Sequence, residues 1–340
     1  MPVLSKDIRQ FHRCLGAARV VQDPRSLLVE LLDELGQTIL MATMSAKALG
    51  LILCGAVATA GAADFPSLSD TTPTGEHFPG KFIWADLFTA DPAAAQTFYT
   101  GLFGWEATTI ERTTASGTHS YIVMANGGEP VAGIGRRPSR VSDAVLGHWV
   151  GYVSVPDVAK ALAAATAAGG RVLFPAKDLP RRGTQAIFVD PEGAELGVLH
   201  SSSGDPGEYA TDPGDLTWAQ LFARDPAAEG RFYSSIAGWE VLPDTRSGRP
   251  DVFVLASGGY SRASVAPLPP RPQAKPGWLL FFRVADVKAA AAKAISLGGR
   301  VLVAPSDVPT EYWRAVIADP TGAVIGLVQL QEPGKPKEQP

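Results

Sequence analysis

Hydrophobic and polar residues alternate along Phe82–Ala90, the pattern of a strand with one buried face. Asp91-Pro92 then opens a helix, because aspartate can accept from the free N–H groups of a first turn and proline is tolerated at the first helical position. Ala94, Phe98, Leu102 and Phe103 give that helix one apolar stripe, and Gly104 ends it. Three strand-like runs follow: Trp105–Thr113, His119–Ala125 and Pro130–Arg136. The order β-α-β-β-β then recurs. His148–Val155 reads as a strand, Asp157–Ala168 as an alanine-rich helix closed by Gly169-Gly170, and Arg171–Phe174, Gln185–Val189 and Glu195–Leu199 as strands.

This double unit is itself repeated. Trp84, Asp91-Pro92, Phe98-Tyr99 and Gly104-Trp105-Glu106 return as Trp218, Asp225-Pro226, Phe232-Tyr233 and Gly238-Trp239-Glu240, each at an offset of 134. Asp157, Gly169-Gly170, Asp190-Pro191 and Gly193-Ala194 return as Asp286, Gly298-Gly299, Asp319-Pro320 and Gly322-Ala323, at an offset of 129. The second copy is therefore shorter in its middle, and it repeats both halves over Leu216–Pro267 and Gly277–Leu330.

Residues 41–63 have the layout of a secretory signal peptide: Lys47 supplies positive charge, Ala48–Ala60 is apolar, and Ala60-Gly61-Ala62-Ala63 offers small residues for cleavage. The expectation is an exported protein, periplasmic or secreted, with no stable membrane anchor once the signal is cut. Residues 1–40 form an extension of no assigned role, and a start at Met41 or Met44 would place the signal at the N-terminus; the alternative is a helical extension ending in a hydrophobic core helix. Cys54 faintly resembles a lipidation site, but Leu53 is bulky where a small residue belongs. The expected layout is then 64–80 as linker, 81–201 as module 1, 214–331 as module 2 and 332–340 as a polar tail.

The 340 residues suit about two domains, and 46% hydrophobic against 19% charged residues suits packed cores. A formal charge of −4 without a Lys/Arg cluster argues against a nucleic-acid partner. Both cysteines, Cys14 and Cys54, precede the folded part, which excludes from it a disulfide framework, a thiolate nucleophile and a cysteine-bound zinc. No Gly-x-Ser-x-Gly elbow or phosphate loop is present.

The strings WADLFTADPAAAQTFYTGLFGWE, HWVGYVSVPDVAKALAAATAAGGRVL and IFVDPEGAELGVL, with two βαβββ units per copy, resemble the glyoxalase-like branch of the vicinal-oxygen-chelate superfamily. That superfamily also holds ring-cleaving dioxygenases and bleomycin-binding proteins. The resemblance covers about residues 80–331. It implies an α+β fold of two tandem modules, each of two βαβββ units forming a half-open barrel whose concave interior holds metal and substrate. Paired modules within one chain imply a monomer.

The resemblance also places the metal ligands of catalytic members, which are His, Gln or Glu. One lies seven residues before the helix-starting Asp, here Trp84 and Trp218. Another lies seven after the Asp of the Asp-Pro-x-Gly turn, here Gly197 and Gly326; the first strand of the second half gives Val150 and Leu279. None has a lone pair for a hard or borderline cation, so no metal ligand and no cofactor is expected. A divalent metal in module 1 would have to use Asp86 and His148, and two protein ligands make a poor site. Asp86 shares a face with Trp84 by strand parity, as Gln220 does with Trp218. A carboxylate on an inner face needs solvent or a partner, which makes Asp86, with His148, the candidate catalytic pair; a structural hydrogen-bonding role is open for both. Candidate ligand-binding residues are Trp84, Asp86, His148, Trp149, Trp218, Gln220 and Trp278. Trp105 and Trp239 read as core, and Arg181, Arg182 and Arg314 could meet an anion at a cavity mouth.

Three functions are open. The first is a metal-free protein binding a small aromatic or amphipathic molecule; the second, an enzyme of lyase, isomerase or dioxygenase type around Asp86 and His148; the third, a non-catalytic interaction scaffold.

Overall fold

The computed structural model describes residues 65–68, 75–114, 117–136, 147–245, 247–270, 274–306 and 312–330. The signal-like residues 41–63, the residues before them and the expected polar tail, 332–340, lie outside these. Module 1 begins with β1 (Phe82–Thr89), α1 (Pro92–Phe103), β2 (Glu106–Thr114), β3 (Gly117–Asn126) and β4 (Glu129–Arg136). It continues with β5 (His148–Ser154), α2 (Val158–Ala167), β6 (Arg171–Leu179), β7 (Gly183–Val189) and β8 (Glu195–Ser201). Module 2 repeats this as β9 (Leu216–Ala223), α3 (Pro226–Ala237), β10 (Glu240–Pro243), β11 (Phe253–Ser257) and β12 (Tyr260–Pro267). Its second half is β13 (Gly277–Arg283), α4 (Val287–Ser296), β14 (Arg300–Val303), β15 (Tyr312–Ala318) and β16 (Val324–Leu330).

Each module is one eight-stranded sheet, in the order β2-β3-β4-β1-β5-β8-β7-β6 and β10-β11-β12-β9-β13-β16-β15-β14. The two βαβββ halves join where β1 meets β5, and β9 meets β13, antiparallel. The end strands do not pair with each other, so each sheet stays open, an α+β fold of two half-open modules.

The helices start as their sequence dictates. Asp91, Asp157, Asp225 and Asp286 each accept from the N–H three residues on, and Gly104 and Gly238 close α1 and α3 with positive φ of 78° and 70°. The observed β6 runs on to Leu179, beyond the expected end at Phe174. It is a sheet edge with mostly exposed side chains, where Pro175 and charged residues can pair without the alternation that marks a half-buried strand.

One apolar core runs through both modules, because they pack helix side to helix side, α1 on α4 and α2 on α3. The contact is pseudo-symmetric. Phe232 lies against Gly170 and Phe98 against Gly299, where a Cβ would collide with the ring. Trp105 Nε1 donates to Gly214 O (3.2 Å) and Trp239 Nε1 to Gly80 O (2.8 Å), each satisfying its buried indole N–H on the other module's side.

Candidate functional site

The face of sheet 1 opposite its helices carries Trp84 from β1, Ile110 from β2, Val123 from β3, Val150 and Tyr152 from β5, Ile187 from β7 and Leu199 from β8. Strand parity puts Asp86 among them, 3% exposed. Its Oδ1 accepts from Trp84 Nε1 at 2.8 Å and from the Tyr121 hydroxyl at 2.5 Å. Gly133, paired with Asp86 in register, makes this possible: a Cβ there would overlap both the Tyr121 hydroxyl and the Asp86 carboxylate. The Tyr152 hydroxyl is buried and faces the same carboxylate. Burial, and then the charge of Asp86, push the Tyr121 and Tyr152 phenols up, so both hydroxyls keep their protons and can donate.

Arg182 completes the group. It is the last residue of the tight β6–β7 turn, whose middle residue Arg181 takes a left-handed backbone (φ 64°), and it is 1% exposed. The guanidinium carbon lies 3.9 Å from the centroid of the Trp84 ring, and Nε donates to Pro66 O at 3.2 Å. Nη2 is buried with no acceptor among the described residues. Phe65 packs edge-on against Tyr121 at 5.0 Å, and Leu68 is 2% exposed. The chain before module 1, expected to be a linker, thus supplies Phe65–Leu68 as part of the wall.

The residues singled out from the sequence are distributed differently. His148 is on the Asp86 strand pair, but two positions along it, opposite Phe88, whose ring lies 5.8 Å away. Its Nε2 meets Glu195 Oε2 at 2.9 Å, so the structure does not assemble His148 with Asp86. Trp149 and Trp278 point to the other side of their strands, into the shared core. There they donate to Tyr99 OH (2.9 Å) and Tyr233 OH (3.0 Å). Trp218 occupies the place of Trp84 in module 2 and donates to Ser264 Oγ at 3.2 Å. Gln220, half-buried, pairs with Ser264 and Leu279 in register. Around Trp218 the second inner face is apolar, with Phe281, Val328, Leu279 and Leu330. Phe281 stands where module 1 has Tyr152, so module 2 lacks the polar group. Arg182 is buried against Trp84 on the inner face, not at a mouth. Tyr121 and Tyr152 were not singled out from sequence, since seeing them opposite Asp86 requires the strand register.

Trp84, Leu68 and Trp218 also line a cavity of about 240 Å³ where β1 and β9 begin, under the connector that includes Pro206–Asp212. Lys81 spans it, donating to the carbonyls of Pro206 and Gly207 at 2.5 Å each; burial lowers its pKa to about 8.

Residues 81–198 match the family described as Glyoxalase/Bleomycin resistance protein/Dioxygenase superfamily, and residues 218–328 match a glyoxalase-like domain family. The chain is 30% identical to "Putative glyoxylase CFP32" of Mycobacterium tuberculosis, over 75% of this chain and 96% of that protein. The chain belongs to this superfamily. It is also 30% identical to "Anthracycline biosynthesis protein DnrV" of Streptomyces peucetius, over 75% of this chain and 94% of that one. Among solved structures it is similar to a Mn(II)-bound glyoxalase from Novosphingobium aromaticivorans (TM-score 0.52, 16% identity, 75% of this chain and 84% of that one). It is similar as well to the 2,3-dioxygenase LapB from Pseudomonas sp. KL28 (TM-score 0.52, 14% identity, 78% and 96%). At those identities the structural likeness shows the fold alone.

The inner faces of these glyoxalase-like modules do not fit a divalent metal. In module 1 the three positions where the superfamily resemblance places ligands are Trp84, Val150 and Gly197, and the Tyr152 ring lies over Gly197 where a side chain would be. In module 2 they are Trp218, Leu279 and Gly326, and the Phe281 ring lies over Gly326. The one carboxylate of this group, Asp86, is already held by an N–H and an O–H, and the cation beside it is a guanidinium. Among the described residues no three His, Cys, Asp or Glu side chains gather in a way that could hold an ion.

Proposed function

We propose that this protein binds a small aromatic or amphipathic molecule at the inner face of module 1, without a metal or other cofactor. The observation that carries the reading is the group built in place of an ion site: Arg182 stacked on Trp84, Asp86 held by Trp84 and Tyr121, and Tyr152 over Gly197. Such a surface offers ring faces for stacking and a few fixed donors for orientation, the usual make-up of a small-molecule site. The relative named for anthracycline biosynthesis supports an aromatic ligand, since anthracyclines are polycyclic aromatic compounds. We place the protein outside the cytoplasm, from the signal-like residues 41–63; a mature N-terminus at Asp64 would bear this out, and an uncut chain would contradict it.

One observation favours a second reading, an enzyme of lyase or isomerase type: a buried carboxylate with two phenols facing it can relay a proton. Oδ1 of Asp86 is engaged twice, which suits a positioning role better than that of a free base.

Titrating 1-tetralone or 2-naphthol into the purified protein should give saturable heat and tryptophan quenching, unchanged by EDTA. Replacing Trp84 by alanine should weaken binding about tenfold or more, the equivalent of one lost stacking contact. Absence of saturable binding, or its abolition by the chelator, would remove the proposal.

A further inference from the structure

Phe65, Pro66, Ser67 and Leu68 form a short piece of chain with no secondary structure, yet Ser67 is 7% and Leu68 2% exposed. Phe65 and Pro66 are half-buried, and Leu68 packs into module 1's inner face. The Phe65 ring packs edge-on to Tyr121 (5.0 Å) and lies 5.7 Å from the Arg182 guanidinium carbon, which has Trp84 on its other contact at 3.9 Å. The Pro66 carbonyl accepts from Arg182 Nε. An aromatic ring and one neutral carbonyl oxygen therefore already satisfy part of this site. One donor there is left over among the described residues, Arg182 Nη2, buried and without an acceptor, while the buried Tyr152 hydroxyl faces the Asp86 carboxylate.

We infer that Phe65–Leu68 is a built-in occupant that competes with the ligand of module 1, and that the ligand is a planar aromatic ketone or quinone. This inference rests on the binding reading above. Charge decides the ligand class. Arg182 and Asp86 sit close enough to act on the same phenols, so the site already holds one positive and one negative charge. A neutral carbonyl oxygen has a lone pair for the spare guanidinium donor and leaves that balance intact. An aromatic carboxylate would add an uncompensated buried charge beside Asp86, which is costly. A hydrocarbon would leave that donor unpaired. An occupant tethered to the chain lowers apparent affinity by the fraction of molecules in which the site is free, so a segment docked nine-tenths of the time weakens the ligand about tenfold.

Calorimetric titration of 1-tetralone into the full chain and into Phe65→Ala tests this. Phe65 belongs to neither sheet, so the variant keeps the fold. The expected result is about tenfold tighter binding to Phe65→Ala, matching a site freed of its occupant. Tetralin and 1-naphthoate, of similar size, should bind much more weakly to the same variant. Adding Arg182→Lys, which keeps the charge but loses the side-on pair of donors, should erase most of the gain; Arg182→Gln should erase all of it. Equal affinity of the wild-type chain and Phe65→Ala would overturn the competition and leave the binding reading standing. Tighter binding of 1-naphthoate than 1-tetralone, or a gain indifferent to Arg182, would overturn the ligand class. No binding to either protein would remove both the inference and the reading it rests on.

Discussion

At pH 8, replacing Glu229 by glutamine should stabilise the protein by on the order of 2–3 kcal/mol, with no gain at pH 4. Glu229 lies in the first turn of α3 and is 3% exposed, at the helix-to-helix contact between modules. It faces Asp190, whose Oδ1 accepts from the N–H groups of Glu192, Gly193 and Ala194 and whose Oδ2 accepts from Tyr233 OH at 2.8 Å. Oε2 of Glu229 has no donor. Burial and then the Asp190 charge raise the Glu229 pKa from 4.5 to about 8, so it is the pair's protonated member; burial also raises Asp190. The folded state thus binds a proton that the unfolded chain releases above about pH 4.5. Stability associated with this group is full below that pH, falls as pH rises from 4.5 towards about 8, and levels off beyond. Glutamine keeps the shape and an N–H donor for Asp190 and removes the titration. Denaturant melts of both proteins at pH 4, 6 and 8 measure it; parallel stability–pH curves would contradict the buried-proton account. Module 1 has Ala95 at the matching position, so the Ala95 side has no equivalent group.

Restoring the superfamily's carboxylate should harm the protein rather than give it a metal. A side chain at Gly197 would start inside the Tyr152 ring, and one at Gly326 inside the Phe281 ring. Tyr152 is fully buried and faces Asp86. Gly197→Glu should therefore cost about 3 kcal/mol or more, from overpacking and from a buried unpaired carboxylate. In a protein of this size that lowers the melting temperature by roughly 10 °C. Adding Tyr152→Ala should recover a large part of the loss by vacating the space. A stable Gly197→Glu protein that takes up Mn(II) would show that Tyr152 is not a fixed occupant of that place.

The repeat, the four aspartate caps, the glycine stops and the βαβββ order all follow from local rules, and these were legible without coordinates. The superfamily resemblance put Trp84 and Trp218 on the inner face, and parity along one strand, which needs no partner, carried that to Asp86. Trp149 and Trp278 show where such reading fails. Both are candidate groove-lining residues from sequence, yet parity sets them opposite Val150 and Leu279, and their N–H groups serve Tyr99 and Tyr233 in the core. Tyr121 and Tyr152 required the register of three strands, with Gly133 and Gly197 as the spaces they fill. Arg182 looked like a surface cation until the β6–β7 turn set its direction. Phe65–Leu68 has no periodicity at all, so nothing local distinguishes it from a solvated linker; only the shape of the cavity gives it a place.

The central claim is that side chains, not an ion, complete the inner face of module 1. Elemental analysis of the full-length protein, purified without chelator and then incubated with Mn(II), Fe(II), Ni(II) or Zn(II) before desalting, tests it most directly. The account predicts far less than one metal per chain and an unchanged melting temperature. One metal per chain, removed by EDTA together with ligand binding, would contradict it.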